Sequence, residues 1–183
     1  MHPVDANGAN VFMEKSEPLP VKIRQEASKT WHVNTLSLTP HASVSPAGGG
    51  SQTLNSMFRY PDVFHTGIAI AFVADQRLYD TVYQERYMNT PQNNPEGYRK
   101  GSPISYAAGL KGNLLLIHGT GDDNVHYQNC EMLVNELVRH GKIFSQISYP
   151  MRSHGIYEGE GTSLHLRKTM ADYWLKNLPA GGK

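Results

Sequence analysis

Seven consecutive residues, Gly67-Ile68-Ala69-Ile70-Ala71-Phe72-Val73, carry no charge and no polar alternation. A strand of that texture offers no face to water, so it belongs inside a sheet covered on both sides, as parallel strands are. Leu114 to Ile117 and Phe144 to Tyr149 predict two further strands. Helical spacing fills the gaps. Gly48-Gly49-Gly50 opens a helix in which Leu54, Met57 and Phe58 share a face, stopped before Pro61. Tyr79, Tyr83 and Tyr87 recur at the same spacing, and Tyr127, Cys130, Leu133 and Leu137 line a helix that ends at Gly141, the usual place for a glycine. Leu166, Met170, Tyr173 and Trp174 mark a last helix before Pro179, while the stretch with Pro91, Pro95 and Pro103 reads as loop. Strand and helix in alternation predict the α/β class, with a partial, mostly parallel sheet flanked by helices.

Residues 1–46 differ. They show neither a period of 2 nor one of 3.6, and prolines stand at positions 3, 18, 20, 40 and 46, so they read as an irregular N-terminal segment. A net charge of +1, from 17 basic and 16 acidic residues, gives no electrostatic case for a nucleic acid or an anionic membrane as partner. No apolar run reaches membrane-spanning length and the start lacks the regions of a signal peptide, so a soluble chain of unknown localisation is expected. The single cysteine, Cys130, excludes an intramolecular disulfide framework, and no cofactor is expected.

The chemistry concentrates at two strand ends. Gly119-Thr120-Gly121-Asp122-Asp123-Asn124-Val125-His126 follows the Leu114 run, and Ser153-His154-Gly155 follows the Phe144 run. That puts an acid and then a histidine on neighbouring strand-end loops, the order found in α/β-hydrolases. In such a pair the carboxylate holds the imidazole, which takes the nucleophile's proton. The plainer readings are a helix N-cap for Asp122-Asp123 and a surface-loop histidine for His154. A metal cluster of His118, Asp122 and His126 matches no established zinc spacing, so no metal site is expected.

From Gly48 to Leu178 these motifs resemble the C-terminal part of the catalytic domain of dipeptidyl peptidase IV and its prolyl oligopeptidase relatives. The resemblance implies an incomplete α/β-hydrolase domain over residues 47–183, with Asp122 and His154 as the acid and base of a triad. Relatives carry Gly-Trp-Ser-Gly-Gly-Gly or Gly-Trp-Ser-Tyr-Gly-Gly at the nucleophile turn. Aligned on the glycines, Ala47 stands where the serine should be, and Gly48 takes the place of an oxyanion donor. Ser45 and Ser51 are the substitute hydroxyls, neither at the turn position itself. The stretch Tyr79 to Met88 is similar to the helix that lines the relatives' substrate pocket, which implies Tyr79 and Tyr83 as pocket residues. Val73 and Val125 match its apolar wall, Asn124 a donor to the substrate carbonyl, and Gln76 stands where relatives have a tryptophan. Read without the resemblance, the tyrosine stripe is the core face of an amphipathic helix.

The expected function is of serine-hydrolase type, with residual esterase activity through Asp122 and His154 on a small ester or peptide. The alternative is a catalytically inactive fragment that self-assembles through an open sheet edge, which makes a homo-oligomer the expected state. One reading joins the texture of residues 1–46 to the missing serine. A permissible coding of Leu36 to Ser45, read in another frame, yields Ile-Phe-Asp-Pro-Ala-Arg-Ile-Gly-Val, which resembles the strand before the relatives' nucleophile turn.

Overall fold

Uncharged runs do become the centre of a parallel sheet. A computed structural model describes residues 42–178, with side chains from Ala47 onward; the readings made for residues 1–41 lie outside the described residues. Strands β1 (Ala42–Pro46), β2 (Thr66–Ile70), β3 (Asn113–Gly119) and β4 (Ser145–Tyr149) lie in the order β1-β2-β3-β4, each pair parallel. Helices α1 (Gly48–Arg59), α2 (Thr81–Met88), α3 (Pro95–Gly101), α4 (Gln128–Arg139) and α5 (Thr162–Asn177) connect and flank them.

Successive strand residues point to opposite faces, so β2 and β3 each feed two cores. Ala69, Leu114 and Leu116 join Leu54, Met57 and Phe58 of α1 and Cys130, Leu133 and Leu137 of α4. Ile68, Ile70, Leu115 and Ile117 face the other way, where Leu166, Met170, Tyr173 and Trp174 of α5 pack against them. The register places Ile68 beside Leu115 and Ile117 beside Ile147, which keeps like faces together across the sheet.

Three expectations need correcting. The first strand lies within the segment read as irregular, because Ala42–Pro46 pairs in parallel register with Thr66–Ile70. Its small and hydroxylated residues carry little strand signal; pairing with β2 supplies what propensity lacks, and Pro46 is tolerated at the last position. The stretch read as loop contains α3 and a 3-10 segment, Pro103–Gly109. Each opens with a proline, whose missing N–H falls in the first turn, where no intrahelical acceptor is needed. The long apolar run leaves the sheet at Ile70, since Ala71 turns to a φ of 46°. Ala71, Phe72 and Val73 stay buried beyond the strand.

The strand order sets which loops meet. Past β3, Thr120 N–H donates to Tyr149 O (2.9 Å) and Gly121 N–H to Arg152 O (3.1 Å), while Thr120 Oγ1 accepts from Met151 N–H (2.8 Å). The loops after β3 and β4 are therefore laced together. Gly119 lies so close to its neighbour that a Cβ there would stand 2.2 Å from Arg152 O. Gly119→Ala forces these loops apart and should lower stability by about 1–3 kcal/mol. Urea unfolding measures this, and an unchanged midpoint would contradict the close approach.

Candidate active site

Ala47, the residue between β1 and α1, has φ 51° and ψ −123°, a region that residues other than glycine rarely enter. Two bonds hold the turn there: Ala47 N–H donates to Ile70 O (2.9 Å), and Ala47 O accepts from Ser51 N–H (3.2 Å). A strained strand-to-helix turn of this form is how α/β-hydrolases present their nucleophile, but here it carries a methyl group. Gly48 is the first residue of α1, where backbone N–H groups lack intrahelical acceptors, and the space where its Cβ would stand is open.

Neither substitute serine occupies that turn. Ser45 lies in β1 opposite Ala69, and its side chain is outside the described atoms. Ser51 is buried, and its Oγ accepts a hydrogen bond from Val73 N–H (3.0 Å). Its hydroxyl ties α1 to the segment after β2.

Asp122 sits three residues past β3 with its side chain fully buried. Oδ1 accepts from Asn124 N–H (3.0 Å) and Val125 N–H (2.8 Å), and Oδ2 accepts from His154 Nδ1 (2.9 Å). His118 Nε2 stands 3.3 Å from the same Oδ2. Burial raises the carboxyl's pKa; the bonds from His118, His154, Val125 and Asn124 outweigh it and hold Asp122 at about 2. An acid that stays ionised can only accept, so His154 carries a proton on Nδ1 and turns Nε2 away from the carboxylate. The His154 side chain is 28% exposed. The N-cap reading of Asp122 survives only in its Oδ1, which closes the turn at Asn124 and Val125. His126, the third residue of the weighed metal cluster, is exposed, and its carbonyl accepts from Asn129 (3.3 Å).

The tyrosine stripe is not a core face. Tyr83 and Tyr87 are 56% and 46% exposed, and Gln84 is the buried residue of α2. Tyr79 precedes the helix, meets Tyr83 edge-on (5.6 Å between ring centroids), and donates its hydroxyl to Asn124 Oδ1 (3.1 Å). Two residues from Asp122, Asn124 thereby links the tyrosine stripe to the acid loop. Val73 and Val125 are both buried. Gln76 bonds Gly101 O through Nε2 (3.2 Å) and accepts from Gln84 Nε2, so it braces α2 against α3.

Residues 47–180 match the sequence model of the prolyl oligopeptidase family. The chain belongs to that family. It is 42% identical over 132 residues to the probable dipeptidyl-aminopeptidase B of Uncinocarpus reesii, covering 70% of this chain and 14% of the relative. The protein of the same name from Coccidioides posadasii is 44% identical over 133 residues, with 70% of this chain and 14% of the relative covered. Among solved structures, the dipeptidyl peptidase 4 of Porphyromonas gingivalis superposes with a TM-score of 0.73 and 41% identity, over 75% of this chain and 19% of that one. The chain thus spans about a seventh of the length of these curated relatives.

Two supports of this prolyl oligopeptidase site escaped the sequence reading. Asn129 of α4 is fully buried; Oδ1 accepts from Ala74 N–H (3.0 Å) and Asp75 N–H (3.3 Å), and Nδ2 donates to Leu78 O (3.4 Å) and His126 O (3.3 Å). It clamps the segment that carries Tyr79 to the acid loop. An asparagine beside Cys130, on a helix face expected to be apolar, was the available signal. The histidine loop has its own brace. Arg152 donates to Pro150 O (2.7 Å), Glu158 O (3.2 Å) and Thr162 Oγ1 (3.2 Å), and the Glu158 carboxylate accepts from Ser153 N–H (3.3 Å).

The Asp122 carboxyl titrates near 2 when folded against an ordinary 3.8, so folding favours its ionised form. Its stabilisation, on the order of 2 kcal/mol, is present above about pH 4 and lost as pH falls through about 2. Asp122→Asn should remove this part of the acid limb, giving a flatter stability profile between these pH values in chemical unfolding. A profile as steep as the parent's would contradict the burial and bonding of Asp122.

Proposed function

We propose that the chain is the acid–base and pocket portion of a serine-hydrolase catalytic domain, working without a covalent nucleophile. The observation that carries this reading is the bond between His154 Nδ1 and a buried, ionised Asp122, at the sheet end where Ala47 occupies the nucleophile turn. His154 Nε2 takes a proton from water as the water oxygen attacks the carbonyl of an activated small ester. The tetrahedral intermediate then breaks its bond to the alcohol oxygen, and Nε2 returns the proton to the departing alkoxide, leaving acid and alcohol. The Gly48 N–H faces the developing oxyanion. Tyr79, Tyr83 and Asn124, with Val73 and Val125 behind them, contact the substrate side chain and carbonyl. The named relatives are dipeptidyl aminopeptidases, which makes a short peptide the parent substrate class. With no serine to acylate, turnover stays at the residual level left by a lost nucleophile, roughly 10³–10⁴-fold over water at most.

A second reading rests on β1, which among the described residues pairs on one side only. A free parallel edge recruits another strand, so a second copy docked along β1 makes the chain a self-assembling, inactive fragment.

Turnover of p-nitrophenyl acetate by the purified chain tests the first reading. Slow, saturable turnover that is lost in His154→Ala is expected. Turnover unchanged in that variant, or none above buffer, overturns it; size that grows with concentration then favours the second.

A further inference from the structure

His118 is a buried ionisable group beside the acid–base pair that the proposed chemistry does not use. The ring lies at the end of β3, fully buried, edge-on to Phe72 (5.3 Å) and Tyr127 (5.7 Å). Its Nε2 stands 2.8 Å from Val125 O and 3.3 Å from Asp122 Oδ2, while its Nδ1 is buried without a hydrogen-bond partner.

A carbonyl oxygen only accepts, so the short contact to Val125 places a proton on Nε2. A second proton on Nδ1 would be a buried donor without an acceptor, and nothing there favours it. The single Nε2–H therefore lies between two acceptors, Val125 O and Asp122 Oδ2. Val125 also donates its own N–H to Asp122 Oδ1 (2.8 Å), which closes a ring from the carboxylate through the Val125 peptide and His118 back to the carboxylate. The last torsion of a carboxylate side chain is broad, so each bond to either oxygen narrows the orientation of both. Oδ1 is held from within its own loop. Oδ2 would otherwise depend on His154 alone, and His154 lies partly in solvent.

We propose that His118 is a positioning residue for the acid–base pair: its Nε2–H, aimed by Val125 O, fixes Asp122 Oδ2 where His154 Nδ1 meets it. The inference rests on the reading of Asp122 and His154 as that pair, but its readouts require no turnover. The pair gains a donor inside the fold that persists whenever His154 moves or takes up a proton.

Imidazole nitrogen and proton NMR of the full chain tests this. In the parent, His118 should be the Nε2–H tautomer, and the His154 Nδ1 proton should give a slowly exchanging downfield signal. His118→Phe keeps a flat ring between Phe72 and Tyr127 but removes the donor, so the His154 signal should be lost to exchange. His118→Gln restores an N–H and should restore the signal. A folded His118→Phe chain with the signal intact overturns the proposal. Should that variant fail to fold, an Nδ1–H tautomer at His118 in the parent overturns it equally, since Nε2 could not then donate. Ester turnover absent from a parent that gives both expected NMR results removes the proposed activity and leaves this positioning role standing.

Discussion

A carboxylate buried away from water survives only when donors surround it, and Asp122 draws its donors from three parts of the chain. Asn124 and Val125 reach Oδ1 from its own loop, His118 reaches Oδ2 from the end of β3, and His154 reaches it from the loop after β4. Meeting that requirement fixes the path of residues 119–125 and its lacing to residues 149–154. The pairing of β3 with β4 brings the two loops side by side, and Gly119 lets them touch. Around this centre Asn129 ties on the segment bearing Tyr79, and Arg152 with Glu158 ties the histidine loop to α5. The site is thus held by buried and part-buried hydrogen bonds, the innermost in a medium that strengthens them.

The nucleophile turn follows a different logic. Its backbone is set by the pairing of β1 with β2, by the Ala47 to Ile70 bond, and by Ser51 anchoring α1 to Val73. None of these uses a hydroxyl at position 47. A methyl group at this position is compatible with the strained geometry.

The sequence was legible where one physical force dominated. Continuous apolar runs marked β2 and β3, since a strand buried on both faces needs them; Phe144, Ile147 and Tyr149 marked the half-exposed β4, and one-sided apolar spacing marked α1, α4 and α5. β1 was not legible, because Ala42–Pro46 is a strand by virtue of its partner and not of its own residues. α3 and the Pro103–Gly109 segment were hidden by prolines that look like breakers but stand at first helical positions. At the site, Asp122 and His154 stood out through their strand-end placement and their order. The tyrosine stripe misled when read by period alone: its spacing says helix, yet only packing tells an inner face from an outer one. Asn129 was visible as a polar residue on an apolar helix face, but its partners Ala74 and Leu78 lie more than fifty residues away and could not be named from local pattern. His118 reaches only to Val125, through a loop whose path the pattern does not encode.

In the function proposed above, the Asp122–His154 pair serves the turn at Ala47, and a hydroxyl restored there would be activated. Ala47→Ser tests it most directly, using a fluorophosphonate probe with the modified residue located by mass spectrometry. The account predicts covalent labelling at position 47, abolished when His154→Ala is added. A folded Ala47→Ser chain that stays unlabelled, or one labelled on Ser45 or Ser51 as readily as at position 47, would contradict it.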